Sequence, residues 1–171
     1  MSEIPEYEKY PVSEEEMGKR YKNWTETLAS QMALLFRVGK ETGGNKFVEK
    51  LKEELYNQGK EDAVILKKLA IGKEQKFADC GWFGKQADLI DDMFANFWHG
   101  YIEHTPEAFE KEIYTCPVAR LWSNTPELCD IISWRLWGMT EILNPKIKVK
   151  GFSKLLTRGD HVCRYRIELE K

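Results

Sequence analysis

The sequence lacks the long apolar runs and the excess of one charge that mark several protein classes. It contains no stretch of about 18 apolar residues, so we expect no transmembrane helix. Its 26 basic and 28 acidic residues leave a net charge of −2, which argues against a nucleic-acid-binding surface. The acidic start, MSEIPEYEKYPVSEEE, has no apolar segment of the secretory kind. We therefore expect a cytoplasmic protein that binds neither membranes nor nucleic acids.

The sequence is equally poor in motifs that identify an enzyme class. Glycine-rich phosphate loops, the Gly-x-Ser-x-Gly elbow and the His-Glu-x-x-His zinc motif are all absent. The four cysteines include no Cys-x-x-Cys pair, so there is no strong zinc signature. A chain of 171 residues can bury a core without covalent cross-links, and we expect these cysteines to be reduced thiols.

Helical periodicity is present in the first half of the chain. Residues 1–12 contain two prolines and predict an irregular arm, after which Ser13 begins a Ser-Glu-Glu-Glu capping box. Apolar residues at helical spacing then predict three helices, and an aromatic-rich stretch from about residue 85 predicts a fourth. These helices are expected to end near Thr42-Gly43-Gly44, at Gly59, near Gly72 and before Thr105-Pro106.

Strand periodicity is present in the second half. The segments FEKEIYTC, KIKVKGFSKLL and HVCRYRIEL predict three strands, the last two joined by a turn at residues 157–160. Between them, PVARLW predicts a short helix, and Thr125 predicts the N-cap of a helix that runs to about Leu143. Residues 1–171 are therefore expected to form a single α+β domain. Its N-terminal helices would pack on an antiparallel sheet of at least three strands with an inserted helix pair.

Cys116 stands where the first predicted strand meets the first inserted helix. If Pro117 is the first residue of that helix, Cys116 is its N-cap, where free N–H groups and the positive end of the dipole favour a thiolate. Cysteines at such positions have lowered pKa values and suit a nucleophile or a metal ligand. The alternative is a small buried residue that closes the strand.

Cys163 lies on the apolar face of the last predicted strand, and His161 shares that face two residues earlier. A His-x-Cys pair can present two metal ligands, or a thiol beside a base. Packing in the core is the alternative for Cys163. Cys129 falls beside Asp130 in the first turn of a predicted helix, where its apolar neighbours predict a core position.

The order of these elements resembles that of a known family. The segments YTCPVARLW, PELCDII and LNPKIKVKGFSKLLTRGDHVCRYRI resemble the bacterial L-2-amino-thiazoline-4-carboxylic acid hydrolase family. They are more distantly similar to vinyl-reductase-type small-molecule-binding domains. The likeness covers about residues 110–169, through Cys116-Pro117, Asn144-Pro145 and a closing strand with Gly159, Asp160 and Cys163. The family's Cys-x-x-Asp is replaced at Ser133 and Leu136, although Cys129 and Asp130 lie one helical turn earlier.

The resemblance implies hydrolysis of a C–N bond in a small cyclic amidine such as a thiazoline carboxylate. Cys116 would then be the nucleophile, and His161 or Asp130 would carry protons. Cys163 could join Cys116 in holding the substrate. A divalent metal such as zinc would draw on Cys116, Cys163 and His161. The candidate ligand-binding residues are Cys163, Trp98, Trp134 and Tyr165.

Two further interpretations stay open. A non-catalytic domain of the same fold could bind or sense a small molecule or a metal, and the altered Cys-x-x-Asp favours this reading. A structural homo-oligomer could form through an exposed strand edge or through the first helix. Turnover of a thiazoline would identify the enzyme, ligand uptake without turnover the binding protein, and a stable oligomer with neither activity the scaffold.

Overall fold

The computed structural model describes residues 13–69, 79–85 and 98–170, and it confirms the α+β class. The long helix α1 spans Glu14–Leu69, and a short helix α2 occupies the described residues 80–85. The remaining elements are strands β1 (Trp98–His104) and β2 (Ala108–Thr115), helix α3 (Glu127–Leu143), and strands β3 (Ile147–Lys154) and β4 (Cys163–Leu169). None of the described helices combines the length and apolar character needed to cross a bilayer.

The four strands form one antiparallel sheet in the order β1-β2-β4-β3. The three predicted strands are confirmed as β2, β3 and β4. The predicted aromatic helix is wrong over β1, where His99 pairs with Ile113 and Tyr101 with Lys111. Aromatic and β-branched residues suit a strand as well as a helix, so pairing with β2 decides the outcome there. The preceding part of that predicted helix, residues 86–97, lies outside the described residues.

Alternation along β4 separates the two faces of the sheet. Ile167 packs in the core opposite Phe109 of β2, as the sequence predicts for its face. On the other face, Arg166 donates to Glu103 of β1 and to Glu110 of β2, at 2.9 Å each. Within the described ranges, the outer face of the sheet therefore carries paired charges.

Helix α1 bends sharply at Gly44, close to where the sequence predicts its end. Gly44 has φ 56° and ψ −144°, a left-handed conformation that favours glycine. Phe36 and Phe47 lie on either side of the bend, and their ring centroids are only 6.1 Å apart. Eleven residues of straight helix would separate them by roughly 16 Å along the axis. Each half of α1 therefore packs as a separate helix.

The predicted helix end at Gly59 is wrong, because α1 continues through it to Leu69. Gly59 instead marks the crossing of α1 and α3. A Cβ atom at Gly59 would lie 1.9 Å from the carbonyl oxygen of Arg135, and one at Gly138 would lie 1.9 Å from that of Tyr56. Only glycine allows two backbones to approach so closely. The predicted end near Gly72 lies outside the described residues.

Two clusters of buried side chains hold the elements together. The first cluster packs α2, α3 and the C-terminal end of α1 against the inner face of the sheet. Its members include Ala63, Phe83, Phe109, Leu143 and Ile167. The second joins the first half of α1 to α3 and to the connection before it, through Ala29, Phe36, Trp122, Leu128 and Ile131. The indole N–H of Trp122 donates to the carbonyl of Ala29 at 2.9 Å.

Candidate functional site

Three of the four thiols come together where β2, α3 and β4 begin or end. Cys116 follows β2, Cys129 lies in the first turn of α3, and Cys163 is the first residue of β4. The thiols lie close enough to influence one another electrostatically. The sequence predicts a site at Cys116 and Cys163 but places Cys129 in the core, so the inclusion of Cys129 is new.

Cys116 does not occupy a helix N-terminus. Residues 117–122 form consecutive turns rather than the predicted short helix, with the N–H of Ala119 donating to the carbonyl of Cys116 at 3.2 Å and that of Leu121 to Val118 at 3.0 Å. Burial raises the pKa of the Cys116 thiol to about 12, although backbone N–H groups of Val118 and Ala119 oppose that shift. The predicted lowering of its pKa is therefore wrong. Two local N–H donors do not offset the loss of water around a thiolate.

The other two thiols of the cluster are also held in the neutral form. Burial raises the pKa of Cys129 to about 11, while the hydroxyl of Thr157, 3.5 Å from its sulfur, acts in the opposite direction. Burial likewise raises the pKa of Cys163, whose sulfur accepts the backbone N–H of Leu156 at 3.2 Å. Near neutral pH the cluster is thus an uncharged, weakly polar surface.

The motif residues behind the resemblance have structural roles. Asp160 accepts the backbone N–H of Leu155 at 2.8 Å, and Gly159 adopts φ 91°, so together they close the connection between β3 and β4. Asn144 donates its N–H to Thr140 and accepts the N–H of Lys146 at 3.1 Å, which ends α3 and turns the chain into β3. These contacts explain the presence of Asp160, Gly159 and Asn144 by their structural roles, and no catalytic role is needed to explain them.

The two predicted proton carriers are not hydrogen-bonded to the thiols. His161 is exposed and precedes β4, so it does not share a strand face with Cys163 as predicted. Asp130 pairs with Arg158 instead. Across the described ranges, no three His, Cys, Asp or Glu side chains are grouped as a metal site requires. The catalytic and metal-binding roles predicted for these residues stay predictions.

The predicted ligand-binding residues lie in different surroundings. Tyr165 is half-buried on the inner face of the sheet beside Phe152, and burial of its hydroxyl raises its pKa. Its hydroxyl has no hydrogen-bond partner among the described residues. Trp134 stacks on Trp137 along α3, at 4.8 Å between ring centroids, with the ammonium of Lys52 over its ring. The side chain of Trp98 lies outside the described residues.

A groove between α1 and residues 121–127 is a feature that the sequence does not reveal. It consists of two adjoining hollows of about 180 and 350 Å³, and Arg37, Asn124 and Thr125 line both of them. Residues 37 and 124 are far apart in sequence, so helical periodicity cannot bring them together. The only local signal is the pair of cations at Arg37 and Lys40, one helical turn apart.

Charged and polar groups converge on this groove. Arg37 forms no ion pair or hydrogen bond with any described side chain, whereas Lys40 pairs with Glu127. Burial acts to raise the pKa of Glu127, but its contacts with Lys40 outweigh that effect and the pKa lies below its usual range. Thr125 is not the N-cap that the sequence predicts. Pro126 takes that position, and the buried hydroxyl of Thr125 lacks a partner in the described part of the chain.

Comparison with protein-family models gives no match, and comparison with curated protein sequences gives none either. The resemblance to the thiazoline-carboxylate hydrolases therefore stays a prediction that depends on the short motifs of residues 110–169.

Proposed function

We propose that the protein binds a small carboxylate-bearing molecule in the groove between α1 and residues 121–127. The observation that carries the proposal is the guanidinium of Arg37, which is unpaired among the described side chains and lies at the junction of the two hollows. Guanidinium groups bind carboxylates through two parallel hydrogen bonds. Asn124 beside Arg37 adds an amide donor and acceptor.

The rest of the groove suits the other end of such a molecule. Glu41 and Glu127 line the larger hollow and can accept hydrogen bonds from a cationic amidine. A cyclic amidine that carries a carboxylate, the class implied by the resemblance, presents both charges. The volume of this hollow, about 350 Å³, lies at the lower end of the range for small-molecule sites. The proposed class is therefore a small zwitterionic heterocycle.

Replacement of Arg37 tests this proposal. We expect 2-amino-thiazoline-4-carboxylate to bind the protein and Arg37→Met to weaken binding roughly 10- to 100-fold, the effect of losing a hydrogen bond to a charged group. Isothermal titration calorimetry measures the change. Arg120→Met is the matched control, since Arg120 is also exposed and unpaired among the described side chains. Equal affinities for the acid and its methyl ester would exclude carboxylate recognition by Arg37.

A second candidate function is hydrolysis of such a compound at the thiol cluster. The specific observation is that Cys116 stays partly exposed while the backbone N–H groups of Val118 and Ala119 act to lower its pKa. Those donors could stabilise a thiolate once a substrate changes its surroundings. His161 and Asp130 remain the proposed proton carriers for this reaction.

Ring opening of 2-amino-thiazoline-4-carboxylate tests this second candidate. We expect Cys116→Ser to abolish turnover if Cys116 is the nucleophile, while Cys80→Ser, a buried thiol outside the cluster, leaves turnover unchanged. Product formation followed by mass spectrometry measures both rates. Wild-type protein that binds the compound without converting it would support the binding function alone.

A further inference from the structure

The first half of α1 carries an apolar surface that does not face the body of the protein. We define the α1 stripe as five residues and their exposed fractions: Tyr21 37%, Trp24 61%, Leu28 39%, Met32 43% and Leu35 70%. The buried residues of the same helical segment, Ala29 and Phe36, lie to one side of the stripe, roughly 80–100° around the helix from Leu28, and belong to the second core cluster. The apolar surface of this part of α1 is therefore wider than the part that the described fold buries.

The spacing of the α1 stripe is that of a helix that packs against another helix. Successive members are separated by three, four, four and three residues, an average of 3.5. That period keeps apolar side chains along one face of a helix and is the repeat of coiled coils. An exposed surface helix without a partner has no physical need for such a repeat.

Charge is sparse along the same segment. Within residues 21–36 only Lys22 and Glu26 are charged, and their side chains pair with each other at 4.0 Å. Both lie off the α1 stripe, on the side of the helix reached by a rotation of about 100° or more from Tyr21. Depletion of charge and enrichment in Trp, Tyr and Met are the composition of the core of a protein–protein interface.

The area of the α1 stripe fits a stable association of two chains. Its five residues leave roughly 550 Å² of surface exposed, given that a large side chain contributes about 150–250 Å² when fully accessible. Two such surfaces in contact would bury about 1,100 Å², which with flanking residues reaches the range of specific interfaces. The exposed patch is also as large as the largest patches of typical monomers.

We propose that a second copy of this chain covers the α1 stripe, in an antiparallel arrangement with a two-fold axis at Leu28. The stripe is symmetric about Leu28, so an antiparallel copy places Tyr21 opposite Leu35 and Trp24 opposite Met32. Each large aromatic side chain then meets a flexible or aliphatic one, and Leu28 meets its own copy. The inference extends beyond ligand binding and does not depend on it.

Multi-angle light scattering coupled to size-exclusion chromatography tests the association. We expect the full-length protein to be a dimer at micromolar concentrations and Trp24→Glu to be a monomer with unchanged circular dichroism. Asn23→Glu adds the same charge at the neighbouring exposed position and should stay dimeric. A monomeric wild-type protein would overturn the proposal, and so would a dimeric Trp24→Glu variant.

A charge pair tests the antiparallel geometry. Met32→Lys alone should be monomeric, because it buries a charge without a partner. The double variant Trp24→Glu/Met32→Lys should dimerise again, since the antiparallel arrangement sets each glutamate opposite a lysine of the other copy. A parallel pairing would instead set like charges together, so a double variant that stays monomeric would overturn the antiparallel arrangement.

Discussion

At the residue scale, burial decides the state of the thiols. Backbone N–H groups act to lower the pKa of both Cys116 and Cys163, yet loss of water raises the pKa of both. Local hydrogen bonds stabilise a thiolate only where the site stays hydrated or strongly positive. The sequence shows that Cys116 stands between a predicted strand and Pro117, where N–H donors are expected. It does not show how deeply the rest of the chain buries the sulfur.

The raised thiol pKa values predict that the protein loses stability in alkali. A thiol whose pKa rises from 9.0 unfolded to about 12 folded, as for Cys116, favours the folded state fully below pH 9.0. That contribution is lost as the pH rises from 9.0 towards about 12. We expect the free energy of unfolding, measured with urea, to fall across this window. The free energy of unfolding of the Cys116→Ala variant should fall less steeply over the same pH range. A pH profile identical to that of the wild type would show that Cys116 does not cause the loss of stability.

At the element scale, the crossing of α1 and α3 depends on two glycines. Gly59 and Gly138 bring backbone atoms together where a methyl group would not fit. Flanking ion pairs join Asp62 to Arg135 at 2.6 Å and Lys60 to Glu141 at 2.8 Å. The pairs are partly exposed, so close packing rather than charge holds the two helices in register.

A methyl group at this crossing should be strongly destabilising. We expect Gly138→Ala to lower the free energy of unfolding by about 1–3 kcal/mol or more, as overpacking does in a rigid interior. Gly18→Ala is the matched control, because nothing lies within 4 Å of its Cβ position on α1. That control should be stabilising by roughly 0.5–1 kcal/mol through helix propensity. Similar effects of the two substitutions in urea unfolding would contradict a steric role for Gly138.

The elements show how far sequence patterns extend. Strands β2, β3 and β4 are predicted because alternation and a turn are local signals, and the Ser13 cap is confirmed by its hydroxyl, which accepts the N–H of Glu16. Gly44 and Gly59 carry the same signal, but only Gly44 bends the helix, since the role of Gly59 depends on α3. The groove at Arg37 is not predicted because its walls are distant in sequence.

At the scale of the whole molecule, the first half of α1 is attached to α3 and to the connection before it through the second core cluster. Trp122 donates to the carbonyl of Ala29 and packs in the second core cluster, and Lys40 pairs with Glu127. The sheet belongs to the other cluster, with members such as Phe109. The two clusters are therefore expected to differ in local stability.

Replacement of Trp122 should loosen one end of the molecule and leave the other intact. We expect Trp122→Phe to speed hydrogen exchange about 10-fold for the amides of residues 29–36, because it removes a buried hydrogen bond and leaves a small cavity. Exchange in β4 should stay slow. Trp137→Phe, on the exposed side of α3, is the control. Equal acceleration in β4 would show that the two clusters open together.

The bend at Gly44 has a mechanical consequence. The α1 stripe and Arg37 both precede Gly44, so the proposed dimer surface and one wall of the groove belong to the same helical segment. A ligand held between Arg37 and Asn124 would restrain this segment against residues 121–127, and the proposed pairing of two chains would restrain it from the other side. Thermodynamic linkage then requires that any effect of dimerisation on ligand affinity be matched by an equal effect of the ligand on dimerisation.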